Sequence, residues 1–112
     1  IRRRQIDALL DDVAETRVHS HFPLIIVGDF NETIDNPACL EMVGRDFSNA
    51  YEGFTTVKKR EDLIKRQIDY IWYRNVKLVS SQRLGPEEIP DCGLPSEEWP
   101  SDHLALTATF NL

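Results

Sequence analysis

The chain has 112 residues, 41% of them apolar, a formal charge of −6 and a pI near 5.0. That length admits one small domain with a modest core, and the acidic balance excludes a protein that grips nucleic acid through its overall field, leaving room for a local basic patch. No apolar stretch approaches the roughly 20 residues a bilayer demands, so a soluble chain without membrane insertion is expected. Cys39 and Cys92 are too few and too far apart for a disulfide framework or a zinc site, and reduced thiols are expected, with one bridge as the alternative.

Ile6, Leu9, Leu10 and Val13 recur at helical spacing with Arg3, Asp7, Asp11, Asp12 and Glu15 opposite, which predicts an amphipathic helix ending near Arg17. After Pro23, the wholly apolar run Leu24-Ile25-Ile26-Val27 predicts a strand buried on both faces and stopped at Gly28. Asn36-Pro37 reads as an N-cap followed by the first helical residue, with Leu40 and Val43 as the buried stripe of a short helix ending at Gly44. Between Ser48 and Lys65 aromatics mix with the run Lys58-Lys59-Arg60-Glu61-Asp62. Gln67 to Tyr73 reads as a strand, with Val76 to Leu84 as its hairpin partner beyond a turn near Arg74-Asn75. Four prolines make Gly85 to Pro100 a loop of a length usually functional or mobile. Leu104, Leu106, Ala108 and Phe110 alternate with Ala105, Thr107, Thr109 and Asn111 in a last strand. These elements predict an α/β fold with a mixed, mainly antiparallel sheet.

Three acidic signatures fall where apolar runs meet loops: Gly28-Asp29-Phe30-Asn31, Ile68-Asp69-Tyr70-Ile71 and Pro100-Ser101-Asp102-His103. If they converge, carboxylates with an imidazole suit binding a divalent cation and a phosphate and moving a proton. Asp29 and Asn31 share one side of their strand end, an acid and an amide for a metal-bound water and a phosphate oxygen; an Asx turn is the bland alternative. Asp69 interrupts an apolar strand and must be paired, with His103 as the favoured partner and a salt bridge to Arg66 or Arg74 as the alternative. Ser101-Asp102-His103 is too compact for a serine triad, so Ser101 reads as a turn hydroxyl while Asp102 and His103 carry the chemistry.

Other features are weaker. His19-Ser20-His21 sits in a connector with no third ligand and reads as a solvated loop. Lys58, Lys59, Arg60, Lys65 and Arg66 suit phosphates, yet Glu61 and Asp62 among them point to a solvated face. Phe54 and Trp99 either stack on a base or cover the core. Asn31-Glu32-Thr33 is an N-glycosylation acceptor, and a glycan there would block a phosphate site, so the catalytic reading implies an intracellular, cytoplasmic protein.

Taken in this order, the three signatures resemble the C-terminal part of the endonuclease/exonuclease/phosphatase family of metal-dependent phosphoesterases, over nearly the whole chain. Asp69-Tyr70-Ile71-Trp72-Tyr73, Trp99-Pro100-Ser101-Asp102-His103-Leu104 and Phe54-Thr55-Thr56 are most similar to its deadenylase branch, with nocturnin- and Angel-like members. The resemblance implies a four-layer α/β sandwich and Mg²⁺-dependent hydrolysis of a phosphate ester, with Mn²⁺ as an alternative cation. It implies that Asp29 activates or positions water, Asn31 contacts phosphate or metal, His103 stabilises charge on phosphoryl oxygens and binds substrate, Asp69 orients His103, and Asp102 helps hold the metal with Asp29 and Asn31.

Family members also carry an Asn and the principal metal-binding Glu upstream, and no segment before Asp29 matches them. The expectation is therefore that residues 1–112 form the C-terminal portion of one domain, that an apolar sheet face awaits the absent half, and that the isolated chain hydrolyses poorly. RNA such as a 3′ poly(A) tail, or a nucleotide, is the expected substrate. The alternatives are a non-catalytic interaction module presenting the Gly85–Pro100 loop, or a family member acting on abasic DNA, sphingomyelin or inositol phosphates.

Overall fold

The computed structural model describes residues 2–15, 22–86 and 88–112. In chain order the elements are α1 (Arg2–Glu15), β1 (Leu24–Asp29), α2 (Pro37–Gly44), β2 (Ser48–Asn49), β3 (Thr56–Lys59), β4 (Leu63–Arg66), β5 (Asp69–Arg74), β6 (Lys77–Leu84) and β7 (Ala105–Asn111). Every strand pair among the described residues is antiparallel, in sheets ordered β1-β5-β2, β3-β4 and β6-β7. The α/β, mainly antiparallel expectation holds. His19, His21 and the helix end expected near Arg17 lie outside the described residues.

Strand β5 is the centre of the fold. Alternation sends Tyr70 and Trp72 to one side, where they stack at 5.1 Å between ring centroids and join Leu10, Cys39, Met42 and Phe47 from the helices and the turn after α2. Trp72 is fully buried, and truncating such a side chain to alanine costs about 3–5 kcal/mol. The Tyr70 hydroxyl donates to the Glu32 carbonyl at 2.8 Å, and burial pushes its pKa up. On the opposite side Tyr73 meets Phe110 of β7 at 5.3 Å, so the β6–β7 ribbon lies against the first sheet. The layers run helices, sheet, ribbon.

The structure corrects four local expectations. Strand β1 is not buried on both faces: Leu24 and Ile26 pack against the helix-side core, whereas Ile25 and Val27 are 48% and 64% exposed. β1 is an edge strand, and Val27 lines an open hollow instead of a packed interface. In α2 the stripe is rotated: Leu40 and Val43 are exposed, and Ala38, Cys39 and Met42 are buried, with Cys39 and Met42 packed in the cluster of Tyr70 and Trp72. Asn36 has the extended backbone of an N-cap, with Pro37 at the helix start, but its side chain makes no cap bond; Glu32 Oε1 accepts from the Ala38 N–H at 2.9 Å. Finally, β6 pairs with β7 and not with β5. Both edges of β5 are already taken by β1 and β2, so the chain leaves that sheet after Arg74.

A second core lies under the Asp102–His103 segment. Val57, Leu94 and Leu104 are its buried members, with Phe54, Leu63, Ile89 and Trp99 packed against them. The Gly85–Pro100 loop thus turns its large apolar residues inward. Gly93 has φ +74, and a Cβ there would come within 2.9 Å of the Lys59 backbone nitrogen, so this close approach of loop to β3 requires glycine. Both cysteines are free.

Candidate functional site

Asp29 closes β1 and Asp69 opens β5, and the antiparallel register sets them directly opposite. Like charges in that position repel. His103 offsets them: its Nδ1 lies 2.8 Å from Asp69 Oδ2, and its Nε2 lies 3.9 Å from Asp29 Oδ2 and 3.8 Å from Asp102 Oδ1. Ligand atoms of Asp29, Asp69 and His103 all fall within 4.8 Å of one another. Around them is an open hollow of about 350 Å³, walled by Val27, Ile71, Leu104 and Leu106.

The electrostatics follow from this crowding. Burial pulls the His103 pKa down, but the hydrogen bond to Asp69 and the charges of Asp69, Asp102 and Asp29 outweigh it, and the net shift is upward. With Nδ1–H donated to Asp69, Nε2 is the nitrogen left facing the hollow. The ring combines a fixed orientation with a favoured positive charge.

The backbone of His103 is pinned on every side. Its N–H donates to Ser101 Oγ at 3.0 Å, and its carbonyl accepts the Trp99 indole N–H at 2.7 Å. The Asp102 carbonyl accepts from Val57 N–H at 3.0 Å, and Leu104 N–H donates to the Thr55 carbonyl at 2.7 Å. Trp99 therefore braces the backbone of His103 from the core side. Phe54 is likewise occupied, with Lys65 Nζ at 4.8 Å and the Arg83 guanidinium at 3.9 Å from its ring centre.

Asn31 stands at the rim. Its backbone N–H donates to Asp29 Oδ1 at 2.8 Å in an Asx-type turn, with φ at 53. That bond leaves Asp29 Oδ2 on the His103 side. Asn31 lines an adjoining hollow of about 260 Å³ between α1 and β1. The structure thus brings Asp29, Asp69, Asp102 and His103 together and sets Asn31 one step away. Arg74, an alternative partner for Asp69, donates instead to the Arg45 carbonyl at 3.0 Å.

Two contributors escaped the sequence reading. Lys58, assigned to a solvated face, places Nζ 3.3 Å from Asp102 Oδ2; alternation along β3 puts it on the same side as Thr56, which bridges to His103. Only the pairing of distant segments reveals this. The other is the buried hydroxyl of Thr55.

Residues 1–103 match the Endonuclease/Exonuclease/phosphatase family. The chain belongs to that family. It is 30% identical to nocturnin of Xenopus laevis over 98% of this chain and 32% of that protein. Similarity to human nocturnin is 27% identity over 92% of this chain and 28% of the relative, and the rat protein gives the same figures. The chain therefore spans about a third of the length of these curated relatives. All three acidic signatures lie within the matched region. No helix among the described residues is long and apolar enough to cross a membrane.

Proposed function

We propose that the parent protein is a Mg²⁺-dependent phosphoesterase that hydrolyses a phosphodiester of RNA, such as a 3′ poly(A) tail, or a nucleotide phosphate. The observation that carries this reading is His103, held by Asp69 through Nδ1 while Nε2 faces the hollow beside Asp29 and Asp102. A charged, pre-oriented imidazole suits an oxygen of a phosphoryl group as negative charge builds on it. Asp69 keeps the tautomer and the charge in place. Asp29, partly exposed and with one oxygen tied to the Asn31 amide, positions the attacking water and takes its proton. The Asn31 side-chain amide contacts a phosphate oxygen at the rim.

The donor set fits a hard cation. Asp69 and His103 satisfy each other at 2.8 Å, which leaves oxygen donors of Asp29, Asn31 and Asp102 to hold Mg²⁺ or Mn²⁺. Such an ion supplies neutralisation of phosphate charge. Lys58 pairs with Asp102 and keeps that carboxylate beside the hollow.

The exposed Ile25 and Val27 on the edge strand β1 suit packing by the remainder of the same domain, since the relatives are much longer. The upstream Asn and Glu of the family belong there, and the 112 residues alone hydrolyse poorly. A glycan on Asn31 would crowd the Asp29 turn, so the same reading puts the protein in the cytoplasm. Because Leu94, Ile89 and Trp99 pack inward, the Gly85–Pro100 loop supports His103 more than it offers an apolar surface to a partner.

The test uses the intact protein with an adenosine-ended RNA oligonucleotide and a dinucleotide phosphate. Hydrolysis should require Mg²⁺ or Mn²⁺, stop on chelation, and fall about 10³-fold in Asp29→Ala while circular dichroism stays unchanged. Undiminished hydrolysis by that variant, or after chelation, overturns the reading.

A further inference from the structure

Thr55 makes contacts that tie the two halves of the site together. It is fully buried. Its hydroxyl oxygen accepts the backbone N–H of Ile68 at 3.1 Å and of Asp69 at 3.2 Å, and donates to the Arg66 carbonyl at 3.5 Å. Its own carbonyl accepts the N–H of Leu104, the residue after His103, at 2.7 Å. The short link Gln67–Ile68 leaves the β3–β4 ladder before β5 begins, so the peptide groups there need partners from elsewhere. One hydroxyl supplies two acceptor positions and one donor, its full capacity.

We propose that Thr55 is a positioning residue for the phosphate site, its hydroxyl fixing the Asp69 peptide and its carbonyl fixing the segment that carries His103. Asp69 and His103 come from segments 34 positions apart, and Thr55 is hydrogen-bonded to the backbone at or next to each. It sets the separation at which carboxylate and imidazole meet. The kinetic consequence rests on the phosphoesterase reading; the geometric one does not.

Thr55→Val keeps the shape and removes the hydroxyl, and Thr55→Ser keeps the hydroxyl. Thr56 is the control, a neighbouring hydroxyl that is 3% exposed and bonded to the Arg66 carbonyl at 3.3 Å. In the intact protein, at a temperature where melting curves show every variant folded, Thr55→Val should lower kcat about 10- to 100-fold with KM nearly unchanged. Thr55→Ser and Thr56→Val should stay within about threefold of wild type, because each leaves the Asp69 peptide bonded. Thr55→Ala serves in place of the valine variant if that one does not fold. A hydroxyl that only stabilised the fold would shift the melting temperature and leave kcat of the folded protein intact, which overturns the proposal. A second readout needs no turnover: the His103 Nδ1–H proton resonance, retained while the ring donates to Asp69, should persist in Thr55→Ser and Thr56→Val and be lost to solvent exchange in Thr55→Val. Absence of hydrolysis in the wild type would defeat the phosphoesterase reading alone, and this resonance would then decide for or against Thr55.

Discussion

Two basic side chains in this fold are each ringed by three carboxylates, and they do different things. Arg45, just past α2, reaches Glu41 at 2.9 Å and Asp7 and Asp11 of α1 at 3.2 Å each. His103 reaches Asp69 at 2.8 Å, but Asp29 and Asp102 only at 3.9 and 3.8 Å. The guanidinium keeps its proton at every relevant pH, and its N–H groups are already matched to carboxylate oxygens. Its work is to clamp one helix to the other. The imidazole can gain or lose a proton, with its pKa raised by the Asp69 hydrogen bond and the carboxylates around it, and Nε2 stands too far from either flanking carboxylate for a hydrogen bond. Acids around a cation do not make a reactive site by themselves; hydrogen-bonding capacity left unused beside an open hollow does.

Breaking the His103 ring should cost rate, and breaking the Arg45 ring should cost little of anything. Next after the Asp29 and His103 substitutions comes Asp69→Asn, which keeps the shape but weakens the charge behind the ring: hydrolysis by the intact protein should fall about 10- to 100-fold. Its pH–rate profile should also turn down at lower pH, because the group that raises the imidazole pKa most strongly is gone.

A smaller effect lies in stability. The folded-state pKa of His103 is raised, so its stabilising contribution is complete below the unfolded imidazole value, about 6.5, and is lost as pH rises through the folded value. Urea midpoints should decline across that window in the wild type and flatten in His103→Gln. Smallest of all, Arg45→Met should lower stability by about 1 kcal/mol or less, since its side chain and most of its partners are partly exposed. Denaturant titration reads that difference.

The residues of the site were easier to read in the sequence than the sheets that assemble them. Asp29, Asp69 and His103 stand out because each breaks an apolar pattern at a strand end, a local signal. Strand pairing is nonlocal. The short turn after Arg74 suggested a hairpin, and only the occupancy of both β5 edges sends β6 to another layer. The run Leu24-Ile25-Ile26-Val27 is apolar on both faces, so nothing in it says that Ile25 and Val27 remain uncovered. In α2, side-chain size misled: the larger Leu40 and Val43 face solvent, while Cys39 and Met42 pack with Tyr70 and Trp72. Lys58 and Thr55 were missed for one reason, that their partners lie in segments brought alongside β3 only by the fold.

The most direct measurement is the rate of RNA or nucleotide hydrolysis by the intact protein as wild type, His103→Ala and Arg45→Met, side by side with saturating Mg²⁺. The account predicts a loss of about 10³-fold for His103→Ala and no change beyond about twofold for Arg45→Met, as expected for a surface ion-pair network. Equal rates for the two variants would contradict it.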